Sequence, residues 1–273
     1  MIIFKCTGGI GNQLFQYANA KSLSNKLGVN FKVDKISFKW TESRRFSLHH
    51  FNINVDFANI KEIKNTKQSY IIEERSFEYK DYPVKNNCYI SGYFQSPKYF
   101  KNIEDIIRRE FVLRKRIQSY SILYQDLIKR EESVSFNVRR RDYIKRFSNV
   151  YYTQDVDYYS RAMNIIENRI KNPHYFVMSD DINWVKNNIE FNFPVTYLSK
   201  EYDEAKDSNV INLYDYEDLY ILSTCKYHII GNSTFAWWGA WLSNSNLVIS
   251  PKNWFKDINM SIKDLIPENW IQL

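Results

Sequence analysis

The N-terminal part of the chain alternates between strand-like and helix-like patterns. Residues 1–6, MIIFKC, begin with four apolar residues and predict a buried strand, which a pair of glycines at 8–9 ends. From Asn12 apolar residues recur at helical spacing as far as Gly28. Residues 29–34 then alternate between apolar and polar, which is typical of a short strand. The order strand, glycine loop, helix, strand predicts the beginning of a βαβ unit.

The rest of the chain continues this alternation after a polar stretch at residues 35–87, where only 70–74 indicate a strand. Further strands are predicted at residues 88–94, 134–138, 175–181, 195–199 and 210–214, within 227–234, and at 247–250. Helices are predicted at residues 99–111, 115–130, 155–171, 181–189, 216–225 and 236–243. Such alternation is typical of an α/β fold with parallel strands and helices on both faces. A charged segment around residue 130 divides the chain into predicted domains 1–130 and 131–273.

The amino-acid composition indicates a globular protein and limits the kinds of partner that it would bind. The chain has 273 residues, of which 44% are hydrophobic and 25% charged, as in globular proteins with a substantial core. The net charge of +7 favours anionic partners, such as nucleotides, nucleic acids or acidic lipid surfaces. Charge alone does not choose among these partners.

Cysteine usage and apolar runs indicate the compartment. Cys6, Cys88 and Cys225 are far apart and form no Cys-x-x-Cys motif, which is typical of a reducing compartment. None of the four histidines has the spacing of a zinc ligand set. The N-terminal apolar run is too short for a signal peptide, and no apolar run approaches the ~20 residues that span a bilayer. We expect a cytoplasmic protein, with peripheral contact at the inner face of the membrane left open.

The loops that follow three of the predicted strands are rich in polar and charged residues. The loops are RRRD at 139–142, SDD at 179–181 and GNST at 231–234. In open α/β sheets, ligands bind beyond the carboxyl ends of the strands. These three loops are therefore expected to form one site.

The arginine loop is the strongest candidate among them. Arg139 and Arg140 directly follow a buried-type strand, and guanidinium groups bind phosphate oxygens in a bidentate manner. Asp142 is placed to hold one arginine. A solvated surface turn is the competing interpretation.

The glycine loop at residues 7–13 carries a weaker signal. Gly9 and Gly11 would let the backbone approach a ligand at the start of a helix. The loop lacks the Gly-Lys-Ser/Thr of a P-loop, and Leu14 replaces the third glycine of the dinucleotide fingerprint. A tight strand-to-helix turn explains the loop equally well.

The other two loops also have structural interpretations. Asp180 is a candidate ligand for a ribose or a base, whereas Asp181 is expected to cap the following helix. Asn232, Ser233 and Thr234 offer side-chain donors beside the free N–H groups of a helix start. Simple N-capping is the alternative there.

The motifs together resemble those of one enzyme family. The blocks are GGIGNQLFQY at 8–17, GYFQSPKYF at 92–100, VRRRDY at 138–143, SDD at 179–181, DLYILSTCK at 218–226 and NSTFAWWGAWL at 232–242. Their combination and order resemble the α-1,2-fucosyltransferases of glycosyltransferase family 11, in the short bacterial form. The resemblance covers nearly the whole chain.

This resemblance implies a fold and a reaction. The expected fold is of the GT-B type, with two Rossmann-like domains facing a cleft, the first on the acceptor side and the second binding the GDP-sugar. The implied donor is GDP-β-L-fucose, and the implied acceptor is the 2-hydroxyl of a terminal galactose on a surface glycan such as a lipid-linked O-antigen unit. The reaction would invert the anomeric centre and need neither a metal nor another cofactor, and no nucleic acid partner is implied.

The resemblance also implies roles for individual residues. Arg140 would bind the pyrophosphate together with Ser233 and Thr234, and Asn12 would lie near the reacting sugar. Asp142 would orient an arginine or help to accept the acceptor proton. The expected substrate contacts are Gly9, Gly11, Asn137, Arg139, Arg140, Asp180, Asn232, Ser233, Thr234 and Phe235.

Two positions depart from the family pattern His-x-Arg-Arg-Gly-Asp. Asn137 replaces the histidine, and Arg141 replaces the glycine. Asparagine can still donate and accept hydrogen bonds, whereas Arg141 adds bulk and charge. A different nucleotide-sugar donor is therefore kept as an alternative.

Other classes of protein also stay open. A carbohydrate-binding protein would use its aromatic residues, 17% of the chain, to bind sugar without a nucleotide. A nucleic-acid-binding protein would bind with steep salt dependence. A metal-dependent GT-A transferase would use the Ser-Asp-Asp motif as a metal ligand, and a dehydrogenase would use the glycine turn.

Overall fold

The chain forms two compact α/β units. The computed structural model describes residues 1–40, 44–114, 119–198, 215–257 and 259–273. Of these, the first unit contains 1–40, 44–114, 215–216 and 261–267. The second unit contains 119–198, 217–257, 259–260 and 268–273.

The first unit is built on a parallel sheet. Its strands are β1 (Ile2–Lys5), β2 (Phe31–Asp34), β3 (Asp56–Phe57), β4 (Ile71–Glu73) and β5 (Cys88–Ser91). Its helices are α1 (Ile10–Leu27), α2 (Ile60–Ser69) and α3 (Glu104–Glu110), with 3-10 turns at Ile36–Lys39, Leu48–His50, Pro97–Tyr99 and Lys101–Ile103. Within the described ranges, the strand order is β3-β2-β1-β5-β4, with every neighbouring pair parallel.

The start of this unit follows directly from its sequence. Ile2 and Ile3 are fully buried, as expected for a central parallel strand that is covered on both faces. Helix α1 is buried along most of its length and ends at Gly28, whose φ of 62° is a left-handed conformation that glycine adopts readily. The predicted βαβ beginning is therefore confirmed.

The second unit contains the larger sheet. Its strands are β6 (Glu132–Val138), β7 (Pro173–Ser179), β8 (Val195–Tyr197), β9 (Tyr227–Ile229), β10 (Val248–Ser250) and β11 (Ile271–Gln272). The helices that accompany them are α4 (Ser119–Arg130), α5 (Arg141–Lys145), α6 (Val156–Glu167), α7 (Ile182–Asn188), α8 (Asp215–Thr224, whose first two residues belong to the first unit) and α9 (Thr234–Ser243). Among the described residues, the strand order is β11-β10-β9-β6-β7-β8, again with all pairs parallel.

The connectivity of this second sheet defines a binding position. From the central strand β6 the chain builds β7 and β8 on one side, then returns to place β9, β10 and β11 on the other. This is the strand order of the dinucleotide-binding fold, and it reverses direction between β6 and β9. Ligands of such sheets bind beyond the carboxyl ends of the two strands at this reversal.

Several predicted elements differ from the structure. The helix predicted at 155–171 ends at Glu167 in the structure. Strand β7 begins at Pro173, so only a short turn connects the helix to the strand. The predicted strand at 88–94 ends at Ser91, because the backbone N–H groups of Tyr93 and Phe94 donate to the carboxylate of Glu74 instead of to a neighbouring strand. The predicted strand at 210–214 lies outside the described residues.

The division of the chain also differs from the predicted boundary after residue 130. Helix α4 precedes that boundary but belongs to the second unit, because its Ile128 is fully buried in a cluster with Phe176 and Ile221. Two later segments, 215–216 and 261–267, belong to the first unit. No helix in the described ranges is long and apolar enough to cross a bilayer.

Candidate functional site

Arg139, at the carboxyl end of β6, is held by two carboxylates. Its Nη2 donates to Oδ2 of Asp142, and its Nε lies 3.2 Å from Oδ2 of Asp180. Burial opposes the charge of this guanidinium, but the neighbouring carboxylates of Asp180 and Asp142 raise the pKa of Arg139 above its usual value. Arg139 is thus a fixed, permanently charged part of the loop.

Arg140 is placed differently. Its backbone N–H donates to Oδ1 of Asp180 at 2.9 Å, and its guanidinium stacks on Trp184 with 3.7 Å from Cζ to the ring centroid. Its Nη1 donates to the carbonyl oxygen of Gln154 at 3.2 Å, whereas its buried Nε has no hydrogen-bond partner among the described residues. Burial lowers the pKa of Arg140. An anion at Nε would supply the missing partner and favour the charged form.

The acidic loop after β7 organises these arginines. The two oxygens of Asp180 contact Nε of Arg139 and the backbone N–H of Arg140, so Asp180 acts within the arginine loop. Burial raises the pKa of Asp180, and the charge of Arg139 opposes that shift. Oδ1 of Asp181 accepts a hydrogen bond from the N–H of Trp184 at 3.2 Å, which confirms the predicted helix cap. A contact between Asp180 and guanosine stays a prediction.

The ends of β6 and β9 approach each other closely at Gly231. A Cβ atom at this residue would lie 3.3 Å from the carbonyl oxygen of Asn137 and 3.3 Å from the hydroxyl of Tyr159. The side chain of Asn137 is buried, and its Nδ2 lies 3.5 Å from the carbonyl of Met178, whereas its Oδ1 has no partner among residues 1–40, 44–114, 119–198, 215–257 and 259–273. Asn137 therefore offers an unpaired acceptor at the reversal of strand order.

Asn232, a predicted substrate contact, holds two loops together. Its Nδ2 donates to the carbonyl oxygens of Tyr152 at 2.7 Å and of Trp254 at 2.8 Å. Its own carbonyl accepts a hydrogen bond from the hydroxyl of Tyr143 at 2.7 Å. These contacts give Asn232 a structural task that the sequence alone did not indicate.

The N terminus of α9 comes directly after the loop that follows β9, the neighbour of β6. Ser233 occupies the N-cap position, but its side chain caps no backbone N–H of the helix. Thr234 opens the helix beside it. Phe235 packs against the apolar cluster that contains Ile221 and Leu222, which is a core contact. The hydroxyl of Ser233 and the first N–H groups of α9 are the donors that suit an anion here.

The glycine loop of the first unit forms a separate cluster at the carboxyl end of β1. Gly9 is the N-cap of α1, Gly11 lies in its first turn, and Oδ1 of Asn12 accepts a hydrogen bond from Nε2 of Gln95 at 3.1 Å. Gln95 follows β5, the neighbour of β1, so the two ends meet where this sheet also reverses its strand order. Gln95 was missed as a candidate, although it stands in the block at 92–100.

Three contributors to the arginine loop were also missed. Trp184 and Gln154 contact the side chain of Arg140, and Gly231 allows the close approach to β6. Within the described residues, no three histidine, cysteine or acidic side chains come together as a metal ligand set. The donors at Arg140, Ser233 and α9 suit the oxygens of a diphosphate.

Replacing Asn232 and replacing Ser233 with alanine are expected to have different effects. Asn232→Ala removes the Nδ2 group that donates hydrogen bonds to two carbonyl oxygens. The free energy of unfolding, measured by urea denaturation, should therefore fall by about 1–3 kcal/mol. Ser233→Ala removes no capping bond, so stability should change by less than about 0.5 kcal/mol. The second variant should instead weaken the binding of a diphosphate, measured by calorimetry. Equal stability of the two variants would contradict the structural task of Asn232.

Comparisons with known proteins identify the family of this chain. The model of Glycosyl transferase family 11 matches residues 5–273. An alpha-1,2-colitosyltransferase from Escherichia coli is 28% identical over 297 residues, covering 100% of this chain and 99% of that protein. The O-antigen biosynthesis glycosyltransferase WbnK from Escherichia coli is 29% identical over 313 residues, covering 99% of this chain and 100% of that protein.

A solved structure shows the same fold. The NodZ alpha-1,6-fucosyltransferase of Bradyrhizobium, soaked with GDP-fucose, matches with a TM-score of 0.51 and 14% identity, covering 88% of this chain and 92% of that chain. The two parallel-sheet units are therefore of the GT-B type. With a family match that spans nearly every residue, the chain belongs to glycosyl transferase family 11.

Proposed function

We propose that this glycosyltransferase moves L-fucose from GDP-β-L-fucose to the 2-hydroxyl of a terminal galactose, forming an α-1,2 linkage in an O-antigen or related surface polysaccharide. The observation that carries the proposal is the buried Nε of Arg140, which has no hydrogen-bond partner among the described residues and lies at the reversal of strand order between β6 and β9. Both curated relatives build glycan linkages, and one is named for O-antigen biosynthesis.

The proposed reaction is a single in-line displacement. Negative charge grows on the departing diphosphate as the bond to the sugar breaks, and fixed donors that face this charge lower the barrier. Arg140 supplies one positive charge and several N–H donors, and α9 supplies its N terminus with Ser233 and Thr234. These groups perform the task that a metal ion performs in other transferases, so the reaction is proposed to be metal-independent.

The remaining predicted residues position this machinery. Asp142 holds the guanidinium of Arg139, which favours its orienting role over that of a general base. Asp180 connects Arg139 to the backbone of Arg140. In the first unit, the hydrogen bond from Gln95 fixes the amide of Asn12, which is proposed to lie near the reacting sugar.

A second donor is favoured by one of the relatives. That relative transfers colitose, which is L-fucose without its 3-hydroxyl. A site that hydrogen-bonds this hydroxyl would reject the deoxy sugar by a factor of about 10⁴, because its buried polar groups would stay unpaired. A site without such a bond would accept both donors.

The test is turnover with each donor in the presence of EDTA. The purified protein is given GDP-L-fucose or GDP-colitose, with and without lactose or N-acetyllactosamine, and GDP release is measured together with the linkage of the product. We expect acceptor-dependent release from GDP-L-fucose that survives EDTA and yields an α-1,2 product. Turnover of GDP-colitose alone would replace the proposed donor, and loss of activity with EDTA would contradict the metal-independent mechanism.

The setting of the reaction is also a proposal. A galactose-terminated acceptor carried on a lipid at the inner face of the cytoplasmic membrane would suit a cytoplasmic enzyme with excess positive charge. Nucleic acid is not proposed as a partner.

A further inference from the structure

The first unit contains a cavity that the donor chemistry does not use. Its volume is about 520 Å³, which is enough for a sugar ring. One face of α1 forms one wall, and residues 79–82 and 94–102 contribute the others.

Three of the four α1 residues in the cavity wall are polar, where a core contact would be apolar. Asn19, Ser22, Leu23 and Lys26 follow each other at helical spacing and line the cavity together. Asn19 is only 2% exposed, yet its Nδ2 has no hydrogen-bond partner among the described residues. The hydroxyl of Tyr82, on the facing segment, is also buried and unpartnered there. Unmatched buried donors are costly and indicate a missing polar partner.

Aromatic side chains make the rest of the wall rigid. The ring centroids of Tyr79 and Tyr99 are 4.9 Å apart, and those of Phe94 and Tyr99 are 5.3 Å apart. The segment that carries Tyr79 is fixed by its N–H bond to Oδ2 of Asp264 at 2.9 Å, and the N–H of Lys80 donates to the hydroxyl of Tyr99 at 3.2 Å. Aromatic walls with a few polar groups are typical of pockets for small molecules.

The charge around the cavity is positive. Lys26 and Lys98 have acidic partners, Asp81 at 3.5 Å and Asp264 at 2.5 Å. Lys80 and Lys101 also line the cavity and form no ion pair within the described part of the chain. Two positive charges are therefore in excess, which favours a ligand with negative charge.

We propose that this cavity binds a sugar that carries a negative charge, either a carboxylate or a phosphate. The aromatic walls would cover the apolar face of the ring, Asn19 and Tyr82 would bind its hydroxyl groups, and Lys80 and Lys101 would neutralise its charge. That this sugar is a further residue of the acceptor glycan rests on the proposed function. Binding of the sugar to the cavity does not itself require the donor.

Direct binding tests the charge requirement. Calorimetry and saturation-transfer NMR are carried out with glucuronic acid, glucose 6-phosphate and neutral glucose. We expect at least one charged sugar to bind about tenfold more tightly than glucose, and the tighter of the two identifies the charged group. Equal binding of all three, or no binding of any, would overturn the proposal.

Paired lysine variants locate that binding. Lys80→Gln combined with Lys101→Gln should weaken binding of the charged sugar about tenfold. Lys61→Gln combined with Lys64→Gln is the matched control, because it removes the same charge from the exposed side of α2. Equal losses in the two double variants would show a general charge effect and contradict the assignment.

Asn19→Leu separates a binding role from a structural one. Removing an unpartnered buried amide should leave the melting temperature unchanged or raise it, while binding of the charged sugar is lost. Retained binding would overturn the proposal. GDP binding, measured in parallel, reports on the second unit, so a failure of the donor assignment remains distinguishable from a failure of the cavity.

Discussion

Replacing Arg140 with alanine is expected to lower kcat/KM for sugar transfer about 10²–10³-fold with the fold intact. The guanidinium lies at the end of β6, and one of its buried N–H groups has no partner in the part of the chain that the structure describes. Its stack on Trp184 keeps it in that orientation. The lost donor would leave the departing diphosphate less stabilised in the transition state. Initial rates with GDP-L-fucose and a galactoside acceptor measure the effect.

Two variants control this experiment. Arg140→Lys keeps the positive charge but loses the planar fork, so it should recover only part of the rate. Arg161→Ala removes an exposed arginine that pairs with Asp157 on α6, and it should leave the rate unchanged. Urea denaturation of all three variants checks the fold. A rate for Arg140→Ala within threefold of the parent would remove the central assignment.

Acidification from pH 7 to pH 5 is expected to lower the free energy of unfolding by about 2 kcal/mol through His228. This imidazole is fully buried, and burial lowers its pKa to about 3. Between pH ~6.5 and pH about 3, His228 is protonated in the unfolded chain but stays neutral in the folded protein. The stability due to neutral His228 is thus present above that window and lost as the pH falls through it.

His228→Gln separates this contribution from those of the other titrating groups. Nδ1 of His228 lies 2.6 Å from Oγ of Ser135, and glutamine can keep a hydrogen bond there without titrating. Urea denaturation at both pH values should therefore show a pH dependence that is smaller by about 2 kcal/mol in the variant. Identical pH dependence in the two proteins would mean that His228 is not responsible.

The location of the site could be predicted because two general rules apply to local sequence. Buried-type runs that end in polar residues mark strand ends, and parallel strands bring those ends to one edge. This reasoning selected the loops after β6, β7 and β9, and the structure places Arg139 and Arg140 against Asp180. The cap at Asp181 could also be predicted from local sequence, because its hydrogen bond joins residues only three positions apart.

The contacts that give each residue its task could not be predicted in this way. Trp184 and Gln154 reach Arg140 only after α6, β7 and α7 have packed, and nothing at those positions marks them as partners of an arginine. Arg139 is held by carboxylates, whereas the Nε of Arg140 has no partner among the described residues. This difference depends on which oxygen of Asp180 faces which group. Asn232 was predicted to contact substrate because its motif precedes a helix, and the motif does not indicate that its Nδ2 also joins the loops at Tyr152 and Trp254.

One missed element did carry a local signal. Helix α2 lies in the polar stretch that indicated only a strand, yet Asn59 and Glu62 form a capping box at its start. The apolar face of α2 is narrow, with Ile63 as its one buried large apolar residue among those described. Weak periodicity therefore concealed a helix that its capping residues indicate.

The central position of β6 has a consequence for how the protein is made. Ser135 and His228 are neighbours across β6 and β9, but 93 residues separate them along the chain. At about 5–20 residues per second, the ribosome needs roughly 5–20 s to deliver the second partner of β6. During that time an apolar strand presents an open edge, to which another nascent chain can pair. The yield of folded enzyme in a cell should therefore depend on translation speed and chaperone supply as well as on the stability of the finished protein.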